Sequence, residues 1–271
     1  MPSVPLKTFW QGLGVWMHQP QNFDPTYFGK LLKQNGWTWV ALKIHHRLNK
    51  NEGSVLAALN NDWVGACTRE GVIVGGWGVN EDAPEREANL VNELGYRYKL
   101  KFYIADAEGP HKSDWPHGNA RRSDVFARHF RILRPRWPLG FSTFGAGEGN
   151  NLLGDVKDDN RGPMHFSPWY RAGAHFLPQT YPNEFGHVYE PVRCVEQALA
   201  ARWPIARVHP VIGIYNGWHA HDYAARLITV KSRFPAFKGF SSFTAESMRE
   251  EDYTELATLA ERYKLATVHA V

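Results

Sequence analysis

The sequence predicts an α/β protein, a single (β/α)8 TIM barrel that spans residues 1–271 as one domain. Three observations predict it. Short apolar, β-branched or aromatic runs alternate with amphipathic segments along the whole chain, and such alternation implies a parallel sheet. The alternation makes eight strand-then-helix units, and a barrel of eight takes about 250 residues, close to the 271 present. No low-complexity stretch or linker breaks the series. An open doubly wound sheet is the competing arrangement. No Gly-x-Gly-x-x-Gly occurs at the first strand–helix turn, which counts against its nucleotide-binding form.

The elements follow in order. The first strand is expected over Gly12 to Met17. Its helix starts with Asp24 as N-cap and Pro25 at the first helical position, and stops at Asn35-Gly36. The second strand is Thr38 to His45, with a helix from near Ser54 to Glu70. The third is Val72 to Trp77, with a helix from Pro84 to Tyr98, and the fourth is Lys101 to Ala107, with a helix from about Asn119 to Leu133. Strand five is Leu139 to Phe144. Strand six is Ala174 to Tyr181, followed by a helix from Pro191 to Arg202. Strand seven is Arg207 to Tyr215, with a helix from His219 to Phe234. Strand eight is Phe237 to Phe243, and the last helix runs from Arg249 to Tyr263. The longest irregular stretches, Gly109 to Gly118 and Gly145 to Pro168, follow strands four and five. Both lie on the C-terminal side of strands, where barrels build their active sites.

Composition narrows the function classes. Hydrophobic content is 43% and charged content 21%, an ordinary globular balance with enough chain for a sizeable core. The 11 tryptophans suit sugar rings and barrel filling equally. Net charge is +4 and the pI about 9.0, with basic residues scattered apart from Arg121-Arg122 and Arg131, Arg134 and Arg136. The second group lies near a helix end, where the dipole favours cations. No nucleic-acid motif accompanies it, so no nucleic-acid partner is expected. Mild positive charge favours approach to an anionic polymer such as a cell wall. Cys67 and Cys194 form no Cys-x-x-Cys pair and read as reduced core residues. Met1 to Gln11 lacks a basic start followed by an apolar run, so neither a signal peptide nor membrane insertion is expected. The chain reads as a soluble product of the cytoplasm, and contact with an extracellular polymer would need another means of delivery.

The most informative segment is Phe102-Tyr103-Ile104-Ala105-Asp106-Ala107-Glu108-Gly109. Side chains two apart on a strand face the same way, so Asp106 and Glu108 point together. Acids at the last residues of a barrel strand have no place in its apolar core. Two neighbouring carboxylates push their pKa values apart, so one can stay protonated near neutral pH. Glycosidic cleavage needs such an acid. The alternative is an N-cap or a salt bridge to a nearby Arg or Lys.

An Asp-x-Glu ending strand four resembles two glycoside hydrolase groups, the family 25 muramidases and the family 18 chitinases. The opening Gly12-Leu13-Gly14-Val15-Trp16-Met17-His18 is similar to the muramidase first strand, and Lys43 sits where their second strand often has a lysine. Leu177-Pro178-Gln179-Thr180-Tyr181 is similar to the chitinase strand whose Gln or Met and Tyr line an N-acetyl pocket. Gly239-Phe240-Ser241-Ser242-Phe243 ends as these families do, with Phe243 where a Trp is common. The departures are Lys101 and Ile104 at the first two acidic positions of the chitinase signature, and Gly14 where the muramidase strand carries an Asp. The resemblance implies Glu108 as general acid and Asp106 as its helper. In family 18 that Asp orients the substrate's own N-acetyl group, which serves as nucleophile.

Other residues are candidates beside these. His18, His45 and His46 follow strands one and two, His111 and His117 follow strand four, and His219 and His221 follow strand seven. A convergence of several on a metal would define a metal-dependent hydrolase. Strand one carries His18 alone rather than His-x-His, so no metal is expected. His46 or His45 instead reads as a substrate hydrogen-bond donor, and Asp222 as part of a helix cap near His219. Trp16, Trp77, Tyr181, Tyr215, Trp218 and Phe243 fall near C-terminal strand ends, where aromatic faces stack on sugars or fill the barrel mouth. Glu148 and Glu246 are further carboxylates on that face, able to position a water or pair with Lys43. Gly145-x-Gly147-x-Gly149 is no phosphate loop, since no Lys-Ser/Thr follows. Ser142 and Ser167 lack a nucleophile-elbow context, which excludes serine-hydrolase chemistry.

The expected function is a retaining glycoside hydrolase-like enzyme acting on an N-acetylated polysaccharide, peptidoglycan first and chitin second. Glu108 and Asp106 carry the chemistry. Tyr181, Gln179, Trp16, His46, Lys43, Trp77, Tyr215, Phe243 and Glu246 form the substrate site. No cofactor is expected. The competing expectation is a non-catalytic carbohydrate-binding or structural barrel, such as a phage virion or tail component with virion proteins as partners. An open aromatic cleft with both carboxylates in reach favours the enzyme. A filled mouth, or carboxylates tied to Arg, favours the module.

Overall fold

Eight parallel strands close on themselves in chain order, β8 returning to pair with β1. The structure is a computed structural model and describes residues 9–48, 61–111, 119–144 and 165–266. The strands are β1 (Leu13–Met17), β2 (Trp39–His46), β3 (Ile73–Asn80), β4 (Tyr103–Ala107), β5 (Leu139–Phe144), β6 (His175–Thr180), β7 (Val211–Gly213) and β8 (Phe240–Phe243). Closure removes the open doubly wound alternative. The helices are α1 (Pro25–Gln34), α2 (Asn61–Arg69), α3 (Pro84–Arg97), α4 (Arg121–Leu133), α5 (Ser167–Arg171), α6 (Pro182–Phe185), α7 (Pro191–Ala200), α8 (Ala220–Arg233) and α9 (Glu250–Tyr263). The expected helix start at Ser54 lies outside the described residues. No described helix is long and apolar enough to cross a membrane.

Alternation sorts each strand's side chains into two sets. Leu13, Val15 and Met17 of β1 and Val40, Leu42 and Ile44 of β2 belong to the layer between barrel and helices. Trp16, Trp39, Ala41, Trp77, Phe102, Ile104, Leu177 and Val211 fill the barrel. The filling is a large-against-small arrangement. A Cβ at Gly14 would lie 2.0 Å from the Trp39 ring, and one at Gly75 would lie 2.4 Å from Phe102. Trp10, on the 3-10 turn Phe9–Gln11, plugs the N-terminal mouth. Its ring lies edge-on to Trp39 at 5.5 Å and to Phe102 at 5.2 Å, and stacks on His175 at 5.3 Å. Burial pushes His175 down to about 2 and its partner His209 to about 4, so this floor is uncharged at neutral pH. Gly14→Ala is expected to destabilise the fold by about 3 kcal/mol, because the Trp39 ring is enclosed and cannot step aside. A chemical-denaturation midpoint equal to wild type would show that the barrel interior is looser than this geometry requires.

Two strands depart from expectation. β7 has three residues rather than nine. A 3-10 turn, Ile205–Arg207, occupies the expected start, and Pro210 has no N–H for a ladder bond. On the β6 side the isolated bridge Phe176–Val208 continues the pairing downward, and on the β8 side the Ser241 N–H donates to the Pro210 carbonyl at 3.0 Å. β3 instead runs three residues past Trp77, to Asn80. Asn80 Oδ1 accepts from the Tyr103 hydroxyl at 2.8 Å, which ties the end of β3 to β4.

The helix caps are local and mostly as expected. Asp24 accepts from the Tyr27 N–H, and Gly36 takes φ 68° after the Asn35 cap. Asp222 accepts from the His219 N–H at 2.8 Å. One cap is not local. Buried Asp252, in the first turn of α9, accepts from the N–H groups of Arg249 and Ala220, both at 2.9 Å. One carboxylate thus serves the N-termini of both α8 and α9. Asp252→Ala would orphan both donors, and a loss of about 2–3 kcal/mol is expected by chemical denaturation. A loss under about 0.5 kcal/mol would refute the double cap. Cys67 and Cys194 are buried free thiols, and burial raises both to about 12.

Candidate active site

The ends of β4, β5, β6, β7 and β8 open into a cleft of about 390 Å³. Asp106, Glu108, Gln179 and Tyr181 line it, with Trp16, Tyr215 and Phe243 as further aromatic walls. Asp106 closes the inward row of β4, and Glu108 follows two residues later on the same side, just past the strand.

Gln179 Nε2 donates to Asp106 Oδ1 at 3.0 Å and to Glu108 Oε1 at 2.8 Å. One amide therefore bridges both carboxylates. Burial and the charge of Glu108 hold the Asp106 carboxyl well above the usual carboxylate range. Lys43 and the Gln179 hydrogen bond oppose that rise without cancelling it. Burial also holds the Tyr181 hydroxyl far above its ordinary pKa, so it stays protonated. The arrangement is a half-buried Glu beside a buried, proton-retaining Asp, with a neutral amide and a phenol alongside.

Aromatic rings enclose the carboxylates. Trp16 donates through Nε1 to Ser241 Oγ at 2.9 Å, which fixes its indole. Tyr181 stacks on Phe243 at 6.1 Å and meets Tyr215 edge-on at 5.5 Å. The Tyr215 hydroxyl donates to Glu184 on α6. Phe144 and Phe185 meet edge-on at 5.1 Å at the rim.

Other expected site residues lie behind this cleft or away from it. Trp77 is a backing residue: it meets Trp16 edge-on at 5.4 Å and donates to the Met17 carbonyl. Lys43 is buried, with Nζ 2.8 Å from His18 Nε2 and 5.4 Å from the Trp77 ring centre. Its charge reaches Asp106 from the side, but it does not line the cleft. A register shift between Lys43 and His45 turns the next residues off the inward face. His45 then contacts the Tyr103 hydroxyl at 2.7 Å and the Arg47 carbonyl at 2.8 Å, and burial lowers it to about 4. His46 faces Glu81 at 3.8 Å. Glu246 accepts from the His18 N–H at 2.8 Å and joins the loop after β8 to the loop after β1. Trp218 packs on Tyr223 at 5.5 Å beneath the Arg226 guanidinium.

Among the described residues the candidate histidines do not converge on one point. His219 faces Asp252 at 3.3 Å, and His111 is buried against Ser123 and held down to about 3. No group of three or more metal-ligating side chains occurs among the described residues. His117, Glu148 and the glycines at 145, 147 and 149 lie outside them. Sequence reasoning did not place Ser142, Phe144, Glu184 or Phe185 in the cleft. Alternation along β5 from Gly140 puts Ser142 and Phe144 on the inward face, a signal available beforehand. Glu184 and Phe185 belong to a one-turn helix too short to show periodicity.

No protein-family sequence model matches the chain, and no curated protein matches it in sequence. Solved structures do match. A family GH18 chitinase from Pseudoalteromonas aurantia aligns with a TM-score of 0.65 at 9% identity, covering 93% of this chain and 99% of that one. A GH18 chitinase mutant from Cycas revoluta in complex with (GlcNAc)4 aligns with a TM-score of 0.63 at 11% identity, covering 93% and 99%. An endo-β-N-acetylglucosaminidase from Cordyceps militaris aligns with a TM-score of 0.58 at 11% identity, covering 95% and 92%. That protein is a double mutant, Asp to Asn and Glu to Gln two positions apart, bound to fucosyl-N-acetylglucosamine-Asn. At these identities the likeness is one of fold.

Proposed function

We propose that the protein is a retaining glycoside hydrolase acting on an N-acetylated polysaccharide, with Glu108 as general acid and Asp106 as its partner. The observation that carries the reading is the Gln179 amide bridging both carboxylates inside an aromatic cleft. Glu108 gives its proton to the leaving glycosidic oxygen as that bond to the anomeric carbon breaks. The carbonyl oxygen of the substrate's own N-acetyl group bonds to the same carbon from the opposite face. Asp106 stabilises the positive charge that spreads onto the amide, and Gln179 and Tyr181 hold the group. Water then attacks, Glu108 takes its proton, and the N-acetyl group is restored. Trp16 and Phe243 offer faces for the apolar side of the sugar ring.

Two facts support this chemistry over a structural barrel. The cleft is open to both carboxylates, and the Gln179 amide is the partner that they share among the described residues. The Asp and Glu replaced in the Cordyceps enzyme have the spacing of Asp106 and Glu108. Gly14 supports an N-acetylglucosamine polymer ahead of peptidoglycan. An Asp there, as on the muramidase-like first strand, would need space that Trp39 fills.

The test is soluble reducing-end release from chitin and from purified peptidoglycan, wild type beside Glu108→Gln. Release by the wild type alone is expected, and from chitin first. Release by neither protein, with both sedimenting with one polymer, would replace the enzyme by a carbohydrate-binding module.

A further inference from the structure

Ser142 carries a polar group that the fold itself does not use. It is the inward residue of β5 in register with Asp106 on β4. Its side chain is 1% exposed, and its Oγ has no hydrogen-bond partner among the described residues. Its register partner on β6 is Leu177, which has no polar side-chain atom to offer. The Gln179 amide, one inward position further along β6, is directed to Asp106 and Glu108. Yet Ser142 lines the same cleft as those two carboxylates.

A buried hydroxyl without a partner is unfavourable, and alanine would remove the penalty at almost equal volume. Serine at this position therefore costs the free protein stability, and a group entering the cleft would recover it. We infer that Ser142 is a ligand-contacting residue whose hydroxyl donates to an uncharged acceptor oxygen of the saccharide bound beside Asp106. A carboxylate or phosphate would be repelled there, because Glu108 brings negative charge to the same wall. The site thus selects a neutral N-acetylated sugar unit over one bearing an acidic substituent. The inference rests on the saccharide reading of the cleft.

The experiment compares Glu108→Gln with Glu108→Gln/Ser142→Ala, so that turnover does not consume the ligand. Calorimetric titration with (GlcNAc)4 measures affinity, and thermal melting without ligand measures stability. Loss of the hydroxyl is expected to weaken binding about ten-fold. The same change is expected to raise Tm by about 2–4 °C. Equal affinity in the two proteins overturns the inference. So does a lower Tm in the double variant, which would mean that the hydroxyl serves the fold. If neither wild type nor Glu108→Gln binds (GlcNAc)4, the saccharide reading itself fails and this inference with it. That outcome is distinguishable, because Ser142 is intact in both proteins.

Discussion

Glu108→Gln is expected to lower the rate of glycosidic cleavage about 10³-fold while leaving KM and the melting temperature close to wild type. The amide is isosteric and its oxygen can still accept from Gln179 Nε2, so the bridge to Asp106 survives. What disappears is the proton that the leaving oxygen needs, and about 4 kcal/mol of transition-state stabilisation with it. Asp106 and Glu108 interact, so their protons leave in two steps that belong to the pair. On the proposed mechanism, activity requires one proton on the pair and falls as pH rises through the upper step. In Glu108→Gln that alkaline limb should vanish from the residual rate. Initial rates on a soluble chitin oligosaccharide between pH 4 and 9 would check both statements. A variant retaining more than about a tenth of wild-type activity would remove Glu108 from the acid role.

Asp106→Asn is expected to act in opposite directions on activity and stability. Activity should fall about 10²-fold, because an amide has no proton to release and so cannot become the anion that balances the charge developing on the participating group. Stability at pH 7 should rise. The Asp106 carboxyl is held well above its ordinary value of 3.8, first by burial and then by the charge of Glu108. The folded protein therefore binds that proton more tightly than the unfolded chain. The stabilisation this gives is complete below pH 3.8 and is lost as pH rises through the folded-state value. Asparagine carries no such dependence. Melting curves of the two proteins should converge at low pH and separate as pH rises, with Asp106→Asn the higher. Parallel curves across that range would mean that Asp106 ionises in the folded protein as it does in the unfolded chain.

Much of the fold was legible because the signals are local. β5 runs from Leu139 to Phe144 as its apolar run indicates, and the Asp24 cap and Gly36 stop bound α1 as expected. β7 was overread, since its apolar residues continue through positions where Pro210 withholds a donor and a 3-10 turn intervenes. The short helix α6 went unseen, although it carries Glu184 and Phe185 to the cleft. His45 and His46 read as mouth residues from their place at the end of β2, just past Lys43. The register shift there spends one residue and turns the pair toward Tyr103 and Glu81.

The sequence by itself determined that Asp106 and Glu108 share a face, that Gln179 and Tyr181 share another, and that all four sit at the C-terminal ends of strands. Those statements need only the two-residue period of a strand and its direction in a β/α unit. Only the tertiary structure decided which of these residues meet. Gln179 is 73 residues from Asp106 in the chain, and the register of β4, β5 and β6 brings its amide between the two acids. Closure of β8 onto β1 is what gives Glu246 the His18 N–H instead of a place in the cleft. The pairing of β1 with β2 sets Trp39 in front of Gly14. Partners of this kind are set by barrel closure and register, which depend on the packing of every strand at once and leave no mark in any single segment.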